Sequence, residues 1–103
     1  MLQTWVIMMV DKAFFLENGV EYACAPGKDD ICLFATYREA CHEIDIRTET
    51  YRDLRYRLTN SGNGEDGDDL LFWERLERDD GWAHVLEIRK KIVYGDVFQV
   101  GRS

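Results

Sequence analysis

The segment Leu70–Lys91 constrains the fold most, because it has the pattern of a long β-hairpin. Asp79-Asp80-Gly81 separates two runs that are rich in aromatic and branched residues. A three-residue loop with glycine in the left-handed position is a common way to close a hairpin. A two-residue loop would instead set apolar side chains opposite polar ones. The predicted pairs are Arg78 with Trp82, Leu76 with His84, Glu74 with Leu86, and Phe72 with Ile88.

This register gives the hairpin an apolar face and a polar face. The apolar face should pack on the core, and the polar face holds a tryptophan among charged residues. Tryptophan and arginine dominate binding hot spots, so we expect the polar face to be a contact surface. A tryptophan shielded by arginine stems is the structural alternative. The apolar face comprises Leu70, Phe72, Leu76, Trp82, Leu86 and Ile88. The polar face comprises Trp73, Arg75, Glu77, Glu87 and Arg89.

The N-terminal part of the chain also has strand patterns. Trp5–Val10 is apolar at every position, which predicts a central strand covered on both faces, with Trp5 in the core. We expect a turn at Asp11-Lys12. Asn18-Gly19 then predicts a type I′ hairpin turn. The predicted hairpin strands are Ala13–Leu16 and Val20–Ala25, with Glu17 opposite Val20, Phe15 opposite Tyr22, and Ala13 opposite Cys24.

The middle of the chain is predicted to be helical. After a turn at Pro26-Gly27 and a short strand at Ile31–Phe34, Thr36 and Glu39 match a capping box. Tyr37, Ala40, Cys41 and Ile44 follow at helical spacing. A second helix, separate from or kinked against the first, is expected from about Thr50 to Leu58.

The remaining segments complete the expected architecture. Thr59–Asp69 contains glycine, asparagine and acidic residues without a large apolar one, so it is predicted to be a loop. Ile92–Tyr94 and Val97–Val100 flank Gly95-Asp96 as one bulged strand or a small turn. The sequence therefore predicts a single α+β domain over residues 1–103. It should have an antiparallel sheet of about five or six strands with one or two helices on one face.

The charge is negative and unevenly distributed. The net charge is −7, and residues 61–81 hold two basic and eight acidic side chains. Such a field repels phosphates, so direct nucleic-acid binding is disfavoured and a basic protein partner is expected. The acidic clusters lie at opposite ends of a strand that spans roughly 30 Å, so they do not form one compact patch, and a partner is expected to bind either cluster alone. The first cluster is Glu65, Asp66, Asp68 and Asp69, and the second is Asp79 and Asp80.

No residue pattern predicts a catalytic, cofactor or metal site. Cys24, Cys32 and Cys41 lack metal-ligand spacing, which favours three buried, reduced thiols. His84 falls on the apolar hairpin face, where a hydrogen-bonded, partly buried histidine is expected, and His42 should be exposed. A small enzyme that uses either histidine with a carboxylate stays an alternative, because such partners need only meet in space.

In size, charge and lack of a catalytic motif, the chain is similar to small acidic proteins that bind and block a larger partner. Phage-encoded inhibitors of bacterial defence, anti-CRISPR proteins among them, and immunity proteins of bacterial toxins share this character. The likeness implies a non-enzymatic binding protein that masks a basic, nucleic-acid-handling partner. A structural or assembly subunit that acts as a homodimer is a further alternative. No apolar run is long enough to span a membrane, and no signal peptide is recognised, so we expect a cytoplasmic location.

Overall fold

The computed structural model describes residues 3–24, 29–65, 67 and 69–94. These residues form a six-stranded antiparallel sheet with one helix packed against it, which confirms the predicted α+β class. No helix among them is both long enough and apolar enough to cross a lipid bilayer. The elements are β1 (Gln3–Glu17), β2 (Val20–Ala23), β3 (Asp30–Phe34), α1 (Tyr37–Asp53), β4 (Arg57–Asn63), β5 (Leu70–Glu77) and β6 (Trp82–Tyr94).

The strand order explains which strands are central and which form the edges. The sheet runs β2-β1-β6-β5-β4, and β3 pairs with β1 as well. β2 pairs with β1 from Phe14 to Glu17, whereas β3 pairs with it from Ile7 to Asp11. Both strands therefore lie along the same side of β1 and act as one interrupted edge strand. β4 forms the opposite edge.

The hairpin of β5 and β6 has the predicted register. Phe72 pairs with Ile88 and Leu76 with His84, with an irregularity near Leu70. The Arg78 amide donates to the Trp82 carbonyl at 2.8 Å. Gly81 has φ 100°, as the three-residue loop requires. The predicted parity is confirmed from Phe72 to Glu77, whereas Leu70, predicted on the apolar face, lies beyond the irregularity and pairs with Arg89.

The predicted hairpin of β1 and β2 is confirmed as well. Asn18 and Gly19 have φ 52° and 79°, the left-handed values of a type I′ turn. Glu17 pairs with Val20 and Phe15 with Tyr22. The Cys24 amide donates to the Ala13 carbonyl at 2.9 Å, although β2 itself ends at Ala23 rather than Ala25.

The turn predicted at Asp11-Lys12 is wrong, because β1 continues through both residues. β6 pairs with β1 without interruption from Gln3 to Phe15, which supplies hydrogen-bond partners along the whole strand. Neither Asp11 nor Lys12 needs a turn conformation, since each finds an opposite charge on its own face of the sheet.

One helix replaces the two helices considered. Thr36 caps α1 by accepting the Glu39 amide at 3.2 Å, as predicted. The separate helix from Thr50 to Leu58 is wrong, because the Thr50 hydroxyl donates back to the Ile46 carbonyl and thus lies inside α1. The helix ends by Leu54, and Arg55 has φ 76° just before β4 begins.

Part of the predicted loop Thr59–Asp69 is a strand. Residues up to Asn63 belong to β4 and pair with β5, so backbone pairing outweighs the loop-forming composition. Gly62 lies beneath the Trp73 indole, where an added Cβ would come within 2.9 Å of Nε1. The absence of a side chain at Gly62 therefore lets Trp73 lie flat across β4.

The core lies between α1 and the central strands. Its buried members are Ile7, Met9, Ala40, Ile44, Tyr56, Leu76, Leu86 and Ile88. The prediction that Trp5 and Trp82 are core residues is wrong, since they are 45% and 36% exposed. Trp5 lies near the start of β1 and Trp82 at the hairpin turn, both beyond the part of the sheet that packs against this core.

The remaining predictions concern the cysteines, the turn at Pro26-Gly27 and the C-terminal tail. The cysteines are free, as expected, but each is half-buried rather than buried. The turn at Pro26-Gly27 lies outside the described residues. The tail from Gly95 to Val100 lies outside them too.

Candidate functional site

The polar hairpin face lies on the side of the sheet opposite α1, which we call the open face. Trp73 is half-buried there against Gly62. Arg75 binds Glu77 at 3.1 Å and also Glu21, which reaches across from β2. The charged side chains of these ion pairs are the cations Lys12, Arg75 and Arg89 and the anions Glu21, Glu77 and Glu87. Cations and anions balance, so these groups add no net charge to the open face.

The acidic pair at the hairpin turn is also compensated within the chain. Asp79 binds Arg57 at 2.9 Å, and Asp80 binds Arg78 at 2.8 Å. The hydrogen bond from Arg78 lowers the pKa of Asp80. Both carboxylates are exposed, yet each already has a cation beside it. The turn therefore offers little uncompensated negative charge.

The carboxylates after β4 are different. Glu65 and Asp69 are exposed and form no side-chain ion pair with the part of the chain that the structure describes. Asp66 and Asp68, predicted with them, lie outside the described residues. Glu65 and Asp69 line a recess of about 380 Å³, which we call the Trp5 recess. Its lining is Trp5, Gly64, Glu65, Gly67, Asp69, Leu70, Leu71 and Lys90.

The Trp5 recess already holds one cation. The Lys90 ammonium lies 4.0 Å from the centre of the Trp5 ring, a cation–π arrangement. The backbone amide of Lys90 donates to the Asp69 carbonyl at 2.8 Å, which brings β6 against the acidic segment. Sequence reasoning missed Trp5 because an apolar run predicts burial. The position of Trp5 near the strand's end was the available signal.

A second constellation centres on Asp11, which is buried between β1 and α1. Arg47 donates to it at 3.0 Å, Tyr51 donates its hydroxyl, and His84 Nδ1 lies 2.8 Å from its other oxygen. Burial raises the pKa of Asp11, but these hydrogen bonds outweigh it and hold the pKa below the usual value. Arg47 also binds Asp30 at 2.6 Å.

Aromatic rings enclose the histidine of this cluster. Tyr51 stacks on His84 with ring centres 4.2 Å apart, and Tyr56 meets both rings edge-on at 5.2 Å. Burial, followed by the hydrogen bond to Asp11, raises the pKa of Tyr51. The phenol therefore stays protonated and acts as a donor to Asp11 at neutral pH.

His84 has the arrangement that acid–base chemistry uses. Asp11 holds Nδ1, while Nε2 has no hydrogen-bond partner among the described residues. A carboxylate that holds one nitrogen leaves the other available for proton transfer. His42 differs, because it is exposed on α1 and no described carboxylate hydrogen-bonds to it.

The described residues of these two sites form no cluster of metal ligands, and the comparisons with known proteins found no match. Within the described ranges, no group of three His, Cys, Asp or Glu side chains comes together to hold a metal ion. No family model matches the chain, and neither a curated protein nor a solved structure is significantly similar to it. The geometry of these side chains is therefore the basis on which a function can be inferred.

Proposed function

We propose that the chain is a small non-enzymatic binding protein that masks a basic surface of a protein partner, as inhibitors of the phage anti-defence type do. The Trp5 recess is the observation that carries this proposal. It combines an exposed indole with two carboxylates, Glu65 and Asp69, that form no ion pair with any other described residue. An arginine or lysine of the partner would stack on the indole and meet the carboxylates.

Among the acidic residues predicted to bind a partner, only those of the Trp5 recess lack a compensating cation within the part of the chain that the structure describes. The ion pairs of the open face and of the hairpin turn give those acids cations within the chain. A partner would have to break them before using those acids, whereas no described cation would have to be displaced from Glu65 or Asp69. The net charge of −7 would steer a basic partner toward the chain over longer distances.

Affinity capture tests this proposal: the chain is immobilised and incubated with an extract of the cells that produce the chain. We expect retention of a basic protein that weakens as salt rises, because salt screens exposed charges. With that protein purified, Trp5→Ala and the double variant Glu65→Lys/Asp69→Lys should each lower affinity about tenfold or more. Trp82→Ala, which removes a second exposed indole outside the recess, is the matched control.

The proposal would be contradicted if retention did not change with salt concentration, or if the recess variants and Trp82→Ala bound with equal affinity. Lys90 offers a sharper test because it occupies the indole that the partner's cation needs. Lys90→Gln should increase affinity, since it frees the ring and removes a positive charge. A loss of affinity in that variant would show that the recess does not receive a cation.

The Asp11–His84 pair favours a second candidate, a small enzyme that uses His84 as a general base. Nε2 would take a proton from a water molecule as the water oxygen attacks an ester carbonyl, and the imidazolium would return that proton to the alkoxide or phenoxide that leaves when the ester C–O bond breaks. With p-nitrophenyl acetate as probe, wild-type protein should release nitrophenol faster than His84→Gln, whereas His42→Gln should behave as wild type. Equal rates for all three proteins would remove this candidate.

A further inference from the structure

The two edges of the sheet differ in how they are protected against pairing with another strand. β4 carries an irregularity between Leu58 and Asn60, and from Thr59 to Asn63 its residues are polar or glycine. Bulges and polar side chains are common protection for an exposed edge. β3 pairs with β1 on one side, and among the described residues no strand pairs with its other side.

β3 also exposes apolar side chains, which β4 largely does not. Ile31 is 54% exposed and Leu33 is 44% exposed, and both point to the open face. Cys32 and Phe34, between and beyond them, turn toward the core. An unpaired strand edge with exposed branched side chains is a template for adding a further strand.

We propose that β3 pairs antiparallel with β3 of a second copy of the chain, with Cys32 at the two-fold axis. The two sheets would then form one continuous sheet with their open faces on the same side. In this register Ile31 of one copy lies opposite Leu33 of the other, and Asp30 opposite Phe34. The inference does not depend on the proposed function.

The side-chain alternation of β3 selects this register. A slip by one residue would set open-face side chains opposite those that face the core. A slip by two keeps the faces aligned but leaves part of the strand unpaired. Centring on Cys32 pairs every residue of β3 and sets each apolar open-face side chain against another.

The charges within β3 do not oppose this register, although the charge of the whole chain does. The net charge of −7 makes two copies repel each other at a distance. Asp30 is the one charged residue within β3, and Arg47 of its own chain binds it at 2.6 Å. Because Asp30 lies opposite Phe34, the pairing opposes no like charges. A five-residue edge buries less than the ~800 Å² per partner of a stable complex, so we expect a reversible dimer with micromolar or weaker affinity.

Sedimentation equilibrium over a concentration series tests the dimer with the full chain. The wild-type mass should rise from 12.1 kDa toward twice that value. Leu33→Lys should stay at the single-chain mass, and so should Ile31→Lys. Ile46→Lys is the matched control, because Ile46 is 49% exposed on α1 and the charge change is the same. A wild-type chain that stays at 12.1 kDa up to millimolar concentration would overturn the proposal, as would equal dimerisation of Leu33→Lys and the control.

Cross-linking tests the register. Directly opposed residues have Cα atoms about 4.5–5.5 Å apart, within disulfide range, whereas a diagonal pair lies at roughly 7–8 Å. In a background in which Cys24, Cys32 and Cys41 are serine, Ile31→Cys mixed with Leu33→Cys should form a disulfide-linked dimer under mild oxidation. Each variant alone should form several-fold less. Equal cross-linking of Ile31→Cys with itself would overturn the register centred on Cys32.

Discussion

Asp11 and Lys12 are neighbours on β1, but they serve opposite faces of the sheet. The Asp11 side chain is 4% exposed beneath α1, where it meets Arg47 and His84. The Lys12 side chain is 34% exposed on the open face and binds Glu87 at 3.0 Å. Each organises a small group of charges, and the two groups lie on opposite sides of one strand.

The difference shows how burial changes the meaning of an ion pair. An exposed pair contributes roughly 0–1 kcal/mol, because water and salt screen it. A buried pair gains little over apolar packing, yet removing one partner leaves a charge that water cannot reach. The Asp11 group should therefore be sensitive to truncation and acid, whereas the Lys12 group should tolerate both more readily.

Asp11→Ala should have the largest effect on stability. The substitution leaves Arg47, His84 and Tyr51 without their shared acceptor, and breaking a buried pair costs about 3–5 kcal/mol. Urea denaturation followed by circular dichroism would measure the free energy of unfolding. Asp45→Ala, which removes an exposed carboxylate that forms no ion pair with another described residue, is the control. A loss below about 1 kcal/mol for Asp11→Ala would place this group with the exposed pairs.

The contribution of the Asp11 group should also be measurable in the wild-type protein, as a loss of stability at acid pH. The pKa of Asp11 in the folded chain lies below its ordinary value of 3.8. A lowered pKa gives stability that is fully present above the unfolded value and is lost as pH falls through the folded value. Wild-type protein should therefore lose stability below about pH 4, and Asp11→Asn should lose less over the same range. Parallel pH curves for the two proteins would contradict this assignment.

The contrast between the two groups was outside the reach of sequence reasoning, although the fold was not. The hairpins were predictable because Asn18-Gly19 and Gly81 specify local turns, and side-chain alternation then determines the register. The burial of the Asp11 carboxylate within a continuous strand depends instead on Arg47 and His84, which are distant from it in the chain. A polar residue inside an apolar run predicts a turn unless those partners are known.

The Trp5 recess also combines features that the sequence predicts with features that it does not. The acidic cluster that contains Glu65 and Asp69 could be predicted, because it is visible in one short segment of the sequence. The exposure of Trp5 depends on how much of the sheet α1 covers, and no short sequence pattern encodes this. The compensation of Asp79 by Arg57 is also a contact between separate strands, so the sequence could not separate compensated acids from available ones.

Glu87→Gln should have a smaller effect than Asp11→Ala. The Glu87 side chain is 12% exposed and has both Lys12 and Arg89 beside it. Burial raises its pKa, but the hydrogen bonds from Arg89 and Lys12 outweigh this and lower it. Losing this charge should cost about 1 kcal/mol in urea denaturation, because the two cations left behind still reach water. Glu65 forms no ion pair within the described part of the chain, so Glu65→Gln should leave stability unchanged, and an equal loss there would point to a general charge effect.

Lys12→Met should have the smallest effect and provides the sharpest contrast with its neighbour Asp11. Methionine keeps most of the apolar stem that packs on the open face, so the variant removes mainly the charge. Glu87 keeps Arg89 as its partner, and the lost pair is partly exposed. The expected loss is below about 0.5 kcal/mol, and it should shrink further at high salt. A loss as large as that of Asp11→Ala would mean that the open face is as dry as the face beneath α1, and that some further element covers it.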